Sequence, residues 1–157
     1  MKVDKDDLRS RMDRFKRVFK QAGAKMTHQR IEVFREVART GEHPDAVTIY
    51  QRVRKRLPTI SLDTVYRTLW MLTDMGLIST LGLHRERVRF DGNTANHHHF
   101  ICTKCGMTRD LKVEELDRLE TPEEAKRMGT VKTTHVEFRG ICSRCSKKGK
   151  QELDRRR

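Results

Sequence analysis

The chain has 157 residues, of which 36% are charged and 6% aromatic, and its formal net charge is +13. The low aromatic content argues against one large aromatic core and favours two small domains. The positive excess lies mainly in residues 1–90, which indicates a polyanionic partner for that half. No stretch reaches the roughly 18 consecutive apolar residues of a membrane span, and the polar start MKVDKDDLRSR is unlike a signal peptide. We therefore expect a cytoplasmic protein.

Four helices are predicted in the first half, each from an apolar stripe at a spacing of three or four residues. Thr27 and Ser61 are good N-caps for the second and fourth helices, while Pro58 and Gly76 end the third and fourth. Trp70 lies outside its stripe and is expected to pack against a neighbouring helix. The stripes are Leu8, Met12, Phe15, Phe19 and Ala22; Ile31, Phe34 and Val37 or Ala38; Ala46, Tyr50, Val53 and Leu57; and Leu62, Val65, Leu69 and Leu72.

A two-stranded hairpin is predicted next, at residues 77–91. Val88 and Phe90 alternate with arginines there, and the turn is expected near His84 and Arg85. Helices followed by a basic hairpin are typical of a winged helix-turn-helix domain.

The remaining chain indicates a second, smaller α/β domain, so that the fold class is α+β. Short strands are expected around 97–102, 107–113 and 130–141, with one helix near 114–128. The predicted organisation is a winged-helix DNA-binding domain at 1–91, a hinge linker at 92–96, the α/β domain at 97–146 and a charged, disordered tail at 147–157.

Four cysteines form two widely separated C-x-x-C pairs: Cys102, Cys105, Cys142 and Cys145. Two such pairs place four sulfurs tetrahedrally around zinc at about 2.3 Å and leave no open coordination position, so the predicted Zn(II) is structural. Two disulfides or unligated core cysteines are the alternatives. A reducing compartment favours metal thiolates over disulfides.

Three histidines lead directly into the first cysteine pair. A strand there places His97 and His99 on one face and His98 on the other. His97 and His99 therefore form a chelating pair. Asp110 lies on the next predicted strand, and a hairpin closed at the cysteines can bring it near His99. The alternative is that the histidine run is only a polar strand surface.

Two further donors, His43 and Asp91, lie in the other predicted domain. With the chelating pair and Asp110 they make a set of three nitrogens and two oxygens, which suits Fe(II), Mn(II) or Zn(II). Such a site would clamp one domain against the other. His43 has an alternative role as a helix-capping side chain.

Six segments of the chain carry a resemblance to one family: MTHQRIEVF, EHPDAVTIY, ISLDTVYRTLWMLTDMGLI, RFDG, HHHFICTKCG and GICSRC. In this order they resemble the ferric uptake regulator family, over about Phe15 to Cys145. The resemblance implies an N-terminal winged helix, a C-terminal α/β dimerisation domain, a four-cysteine structural zinc and a regulatory metal at the hinge. It also implies a homodimeric, metal-dependent repressor that binds a pseudo-palindromic double-stranded DNA operator and is neither an enzyme nor a binder of a small organic substrate.

Position by position, the resemblance implies His43, Asp91, His97, His99 and Asp110 as ligands of the regulatory Fe(II) or Mn(II), with Zn(II) as an alternative. Aspartate at both acid positions resembles the peroxide-sensing branch, the peroxide regulon repressors, in which bound iron and hydrogen peroxide oxidise a ligand histidine. His43 and His97 are then the expected oxidation-sensitive residues. The alternative is a repressor of the same family that responds to iron, manganese or zinc level without peroxide sensing.

The chain departs from the family pattern near the third cysteine. The family often has a histidine at the position of Thr134, whereas this chain has His135 one residue later. This shift argues against a third metal site built from His98, Asp117 and His135.

The resemblance also indicates which helix reads DNA, since in the family the helix with LDTVYRTLW enters the major groove. Arg67 is the best candidate for a base contact, because a guanidinium can pair with guanine through two hydrogen bonds. Tyr66 is expected at a thymine methyl group or a phosphate, and Thr64 lies beside it. The expected phosphate contacts are Lys25 and Arg30 near the second helix and Arg85, Arg87 and Arg89 on the wing.

Two other classes of protein fit parts of the pattern. A zinc enzyme could use His97 and His99, but the sequence offers no nucleophile motif and no further general base. A zinc-ribbon RNA-binding module is disfavoured by the winged-helix pattern.

Overall fold

The computed structural model describes residues 3–81 and 88–147. The chain divides into two compact units with the boundary between Thr94 and Ala95. The predicted hairpin turn, the wing residues Arg85 and Arg87, and the tail from residue 148 onward lie outside the described residues. Along the described parts of the chain, no helix is both long and apolar enough to cross a membrane.

Four helices build most of the N-terminal unit: α1 (Lys5–Gln21), α2 (His28–Ala38), α3 (Ala46–Arg54) and α4 (Leu62–Asp74). Three of them begin at a side-chain cap, in which a side-chain oxygen accepts a hydrogen bond from the backbone N–H three residues later. These oxygens belong to Thr27 for α2, Asp45 for α3 and Ser61 for α4, at 3.3, 2.7 and 3.1 Å. The predicted caps Thr27 and Ser61 are confirmed, and Asp45 adds a third.

The core of this unit lies where the apolar stripes of the helices meet. Phe15 has its ring centroid 4.3 Å from that of Phe19 and 4.7 Å from that of Phe34. The predicted stripe of α2 was incomplete, because Val33 is fully buried while Ile31 is only half-buried.

A short antiparallel hairpin packs against the helices and completes a winged helix-turn-helix. It consists of β1 (Ser79–Leu81) and β2 (Arg89–Asp91), with Thr80 opposite Phe90. The indole of Trp70 on α4 lies edge-on to the Phe90 ring of this hairpin, 6.0 Å between centroids, and the residue remains 47% exposed. The groove beside it is also lined by Ala46 and Val47 of α3, and the expectation that Trp70 packs against a neighbouring helix stays a prediction.

The C-terminal unit has a three-stranded sheet in the order β4-β3-β5. Its strands are β3 (His98–Cys102), β4 (Thr108–Leu111) and β5 (Glu137–Gly140), with β3 antiparallel to β4 and parallel to β5. The two short helices are α5 (Glu114–Asp117) and α6 (Glu123–Met128), and residues 143–147 are also helical.

Two predicted elements of this unit were too long. The helix expected near 114–128 is divided at 118–122, because Pro122 has no N–H for a continuing helix and instead stands at the N-terminus of α6. The strand expected at 130–141 is limited to β5, whose ladder with β3 runs from His99 opposite Glu137 to Cys102 opposite Gly140.

Candidate metal centres and DNA-reading surface

The four cysteines gather at the end of the sheet in the C-terminal unit. Cys102 ends β3, and its ladder partner Gly140 on β5 lies just before Cys142. The four sulfur atoms all lie within 4.8 Å of one another, and those of Cys105 and Cys142 are 3.8 Å apart. None of the four cysteines forms a disulfide. A tetrahedron with metal–sulfur bonds of about 2.3 Å has an edge of about 3.8 Å. The cluster can therefore hold a tetrahedral metal ion, and the disulfide alternative fails.

Backbone hydrogen bonds prepare two of these sulfurs to be thiolates. The N–H of Cys142 lies 3.3 Å from the Cys102 sulfur and lowers the pKa of Cys102 to about 6. The N–H of Met107 likewise lowers the pKa of Cys105. Hydrogen bonds with Cys105 and Cys142 raise the pKa of Cys145 to about 12. A cation among four sulfurs would offset their mutual repulsion and displace the last proton.

Arg144 is a residue of this cluster that sequence analysis missed. A hydrogen bond to Cys105 and the charges of the neighbouring cysteines raise the pKa of Arg144. Its guanidinium thus partly offsets the negative charge of a tetrathiolate. The signal was present in the sequence, since a cation lies inside the second C-x-x-C pair.

A second group of donors lies on the sheet of the same unit. The Nε2 atoms of His97 and His99 are each 3.9 Å from Oδ1 of Asp110, and the two rings are 4.5 Å apart. The strand register explains this grouping, because His99 is opposite Asp110. The Nδ1 atom of His97 lies 2.7 Å from the carbonyl of Ala95, which directs its Nε2 toward the aspartate. The predicted face with His97, His99 and Asp110 is thus present, and both histidines are buried.

The N-terminal unit holds its own pair of candidate ligands. Nε2 of His43 is 3.5 Å from Oδ1 of Asp91, and both residues are buried. His43 follows α2 in the turn before α3, and Asp91 ends β2. The N–H of Asn93 donates to the same aspartate oxygen at 2.7 Å, which fixes the orientation of the carboxylate.

At the third site, which the sequence argued against, His98 and Asp117 lie together, whereas His135 has a different partner. Nε2 of His98 is 3.3 Å from Oδ1 of Asp117, and its Nδ1 accepts the N–H of Val136. His135 instead has its Nδ1 atom 3.1 Å from the carbonyl oxygen of His97. Among the described residues these three side chains do not make a three-donor cluster.

Of the predicted DNA-contacting residues, Thr64, Tyr66 and Arg67 lie on α4, Arg30 lies in the first turn of α2 and Lys25 lies before that helix. The side chain of Arg67 is 81% exposed, and Tyr66 is 40% exposed. Arg30 donates to the carbonyl of Lys25 at 2.6 Å, while Arg87 lies in the part that the structure does not describe. A groove of about 390 Å³ runs between the two helices, and its lining includes Thr27, Gln29, Arg30, Thr64, Arg67 and Thr68. The groove is therefore open, polar and basic.

A winged-helix unit, a cluster of four cysteines and buried histidine and aspartate donors define the class of winged-helix proteins with candidate metal centres. The model of the ferric uptake regulator family matches residues 21–139. The chain belongs to the ferric uptake regulator family, whose members are transcription regulators and not enzymes.

Individual relatives of this chain include peroxide-responsive and ferric uptake regulators. The chain is 35% identical to a peroxide-responsive repressor PerR of Staphylococcus epidermidis over 132 residues, which is 83% of this chain and 87% of that protein. The structure of the Campylobacter jejuni peroxide stress regulator is similar with a TM-score of 0.65 and 28% identity, over 85% of this chain and 98% of that one. The Helicobacter pylori ferric uptake regulator Fur shares the fold with a TM-score of 0.72 at 24% identity, over 93% and 97%.

Proposed function

We propose that this chain is a metal-dependent DNA-binding transcriptional repressor that senses hydrogen peroxide through iron-catalysed oxidation of a ligand histidine. The observation that carries the proposal is the pair of aspartates among the candidate ligands, Asp91 beside His43 and Asp110 beside His97 and His99. The peroxide-responsive relative at 35% identity supports the same assignment.

Two metal ions with different tasks are proposed. Zn(II) binds Cys102, Cys105, Cys142 and Cys145 and stabilises the C-terminal unit, because four thiolates leave no position for a substrate. Fe(II) or Mn(II), with Zn(II) as an alternative, binds the five histidine and aspartate donors. Neither unit alone supplies enough of them, since the N-terminal unit offers two and the C-terminal unit three, while these ions commonly take five or six ligands. Joint ligation would fix the two units relative to each other.

DNA recognition is proposed for a cytoplasmic homodimer on a pseudo-palindromic operator, because a two-fold dimer presents two identical reading helices. Arg67, Tyr66 and Thr64 on α4 would contact the major groove, and Lys25, Arg30 and Arg87 would neutralise phosphates. The exposure of Arg67 and its position with Arg30 in one groove support this assignment. Metal binding would favour the arrangement in which both helices match the operator.

Bound iron(II) would supply the one-electron chemistry that lets hydrogen peroxide oxidise a nearby side chain. The chain's own contribution is to place His43 and His97 among the ligands, where either imidazole can receive one oxygen atom. An oxidised imidazole is a weaker donor, so loss of either residue as a ligand would release the constraint between the units. The repressor would then leave its operator.

The test is mass spectrometry of the peptides that contain His43 and His97. Protein loaded with Fe(II) and then exposed to peroxide is expected to gain the mass of one oxygen atom in one of them and to lose affinity for DNA. Protein loaded with Mn(II) is the matched control and is expected to change in neither respect. Iron-loaded protein that releases DNA with no oxygen added to either peptide would contradict peroxide sensing by this route.

The second candidate is a repressor that responds to the level of iron, manganese or zinc. It is favoured by the donor set itself, since histidine and carboxylate ligands suit all three ions. In this case DNA affinity would follow metal concentration and would be unaffected by peroxide in the presence of iron.

A further inference from the structure

We propose that Arg89 is a positioning residue that holds His43 in place for metal binding, and is not a phosphate contact as the sequence suggested. The inference rests on the proposed metal site. Arg89 lies at the start of β2, is half-buried, and donates from Nη1 to the carbonyl oxygen of His43 at 3.1 Å. Its guanidinium is thus directed into the N-terminal unit, where the backbone of the candidate ligand lies.

His43 needs such support because of its backbone conformation. Its φ is +49°, and no other non-glycine residue within 3–81 and 88–147 has a positive φ. A side chain with a Cβ is disfavoured in this region, and the conformation persists only where the surroundings hold it. The hydrogen bond from Arg89 to the His43 carbonyl therefore helps to fix the orientation of the imidazole, a candidate metal ligand.

β2 holds the turn at His43 and at the two residues that follow it. Arg89 binds the carbonyl of His43, and the N–H of the next residue, Phe90, donates to the carbonyl of Pro44 at 3.1 Å. Asp45 and Arg89 also form an isolated antiparallel bridge. The same strand ends at Asp91, whose carboxylate is 3.5 Å from the His43 imidazole. One strand thus supplies one ligand and fixes the backbone of the other.

An independent anchor keeps the turn folded when Arg89 is replaced. Glu42 accepts a hydrogen bond from Arg52 of α3 at 3.1 Å, and Arg52 lies 3.7 Å from the buried carboxylate of Glu36. Asp45 also keeps its capping bond to the Thr48 N–H. Loss of Arg89 should therefore disturb the orientation of His43 without unfolding the unit.

The two roles of Arg89 give opposite signatures. A positioning residue acts on metal affinity, and its loss can be overcome by saturating metal. A phosphate contact acts on DNA affinity and on its salt dependence at every metal concentration.

The experiment uses the full chain, zinc-loaded, as wild type and as Arg89→Met, Arg89→Lys and Arg30→Met. Calorimetric titration with Mn(II) measures metal affinity, and the DNA probe is a duplex selected by the wild type from a random library. For Arg89→Met we expect Mn(II) affinity to fall by about 10-fold to 100-fold, with unchanged zinc content. DNA affinity and its salt slope at saturating Mn(II) should match the wild type. Arg30→Met, the control, should keep its Mn(II) affinity and lose about one unit of salt slope.

Arg89→Lys decides the matter if Arg89→Met loses its zinc or its helical circular dichroism. It keeps the positive charge but not the planar guanidinium, so we expect weaker Mn(II) binding with an unchanged salt slope. Unchanged Mn(II) affinity in a folded Arg89 variant, with or without a reduced salt slope, overturns the inference. If the wild type itself binds no Mn(II) beyond the cysteine site, the proposed function fails instead, and the two failures are distinguishable.

Discussion

Glu32 and Glu36 lie one helical turn apart on α2, with only 3% and 0% of their surfaces exposed. Arg56 binds both carboxylates, its Nε 2.7 Å from Glu32 and its Nη2 2.9 Å from Glu36. Arg35 on the same helix and Arg39 directly after it add further ion pairs. Burial alone would raise the pKa of Glu32, but the hydrogen bond from Arg56 and the charges of the arginines lower it below its ordinary value. The unit therefore depends on keeping this carboxylate ionised and paired.

Replacing Arg56 should expose that dependence. We expect Arg56→Met to lower the free energy of unfolding at pH 7 by about 2 kcal/mol, because two buried carboxylates lose a charged hydrogen-bond partner while other arginines remain. A group with a lowered pKa in the folded state contributes stability above its unfolded pKa and loses it as pH falls through the folded value. The difference between variant and wild type should thus shrink as the pH falls below about 4.5.

Urea unfolding between pH 3.5 and 7.5, followed by circular dichroism, measures this difference. Arg118→Met is the matched control, because Arg118 pairs with Glu114 on the surface, where both side chains are largely exposed. The control should change stability by less than about 0.5 kcal/mol. An equal loss of unfolding free energy in the two variants would show that the buried ion pairs stabilise the unit no more than an exposed pair does.

The end of β2 packs directly on the end of α2. A Cβ on Gly92 would lie 2.9 Å from the Cα of Ala38 and 3.1 Å from the carbonyl carbon of Val37. Both are backbone atoms of α2, so neither can move as a flexible side chain would. The close approach places Asp91, the residue before the glycine, against the end of the helix.

Gly92→Ala is expected to lower the free energy of unfolding by about 1 to 3 kcal/mol, because the added methyl group forces β2 and α2 apart. Gly41→Ala is the control, since a Cβ there meets nothing within 4 Å, and it should change stability by less than about 0.5 kcal/mol. Thermal and urea unfolding of both variants measures the effect. A Gly92→Ala protein as stable as the Gly41→Ala protein would contradict the close packing.

Local signals predicted the helices of the N-terminal unit well. The features that the sequence did not predict depend on contacts between residues that are distant in the chain. The caps Thr27 and Ser61 act within three residues, so their chemistry is readable directly from the chain. The length of β5 depends on which residues of β3 it meets, and no local pattern contains that pairing. Pro122 is different, because its missing N–H is a local signal that by itself argues against a continuous helix.

The same distinction applies to the candidate metal ligands. Strand periodicity predicted that His97 and His99 share a face, and hairpin pairing brings Asp110 to them. The role of Arg89 could not be predicted, because it depends on the left-handed backbone of His43, which is visible only in the folded turn. In sequence the residue was one more basic side chain on a wing.

The two kinds of donor, thiolates at one centre and histidine and aspartate at the other, predict two different responses to metal removal. Four thiolates surround an ion completely, whereas histidine and aspartate ligands bind Mn(II) more weakly and exchange more readily. We expect EDTA to remove Mn(II) and abolish operator binding while the cysteine-bound zinc stays in place. Metal analysis by mass spectrometry after desalting, with fluorescence anisotropy of a labelled duplex on the same samples, measures both.

Cys142→Ser provides the complementary case, because it removes one ligand of the closed site and leaves every histidine and aspartate donor intact. This variant should lose its zinc, and the C-terminal unit should lose its cooperative unfolding transition, since zinc binding supplies part of its folding free energy. The sheet with His97, His99 and Asp110 would then no longer be held in register, so metal-dependent DNA binding should fail as well. Zinc that leaves together with Mn(II) in EDTA, or DNA binding that survives the loss of Mn(II), would contradict the division into a structural and a regulatory ion.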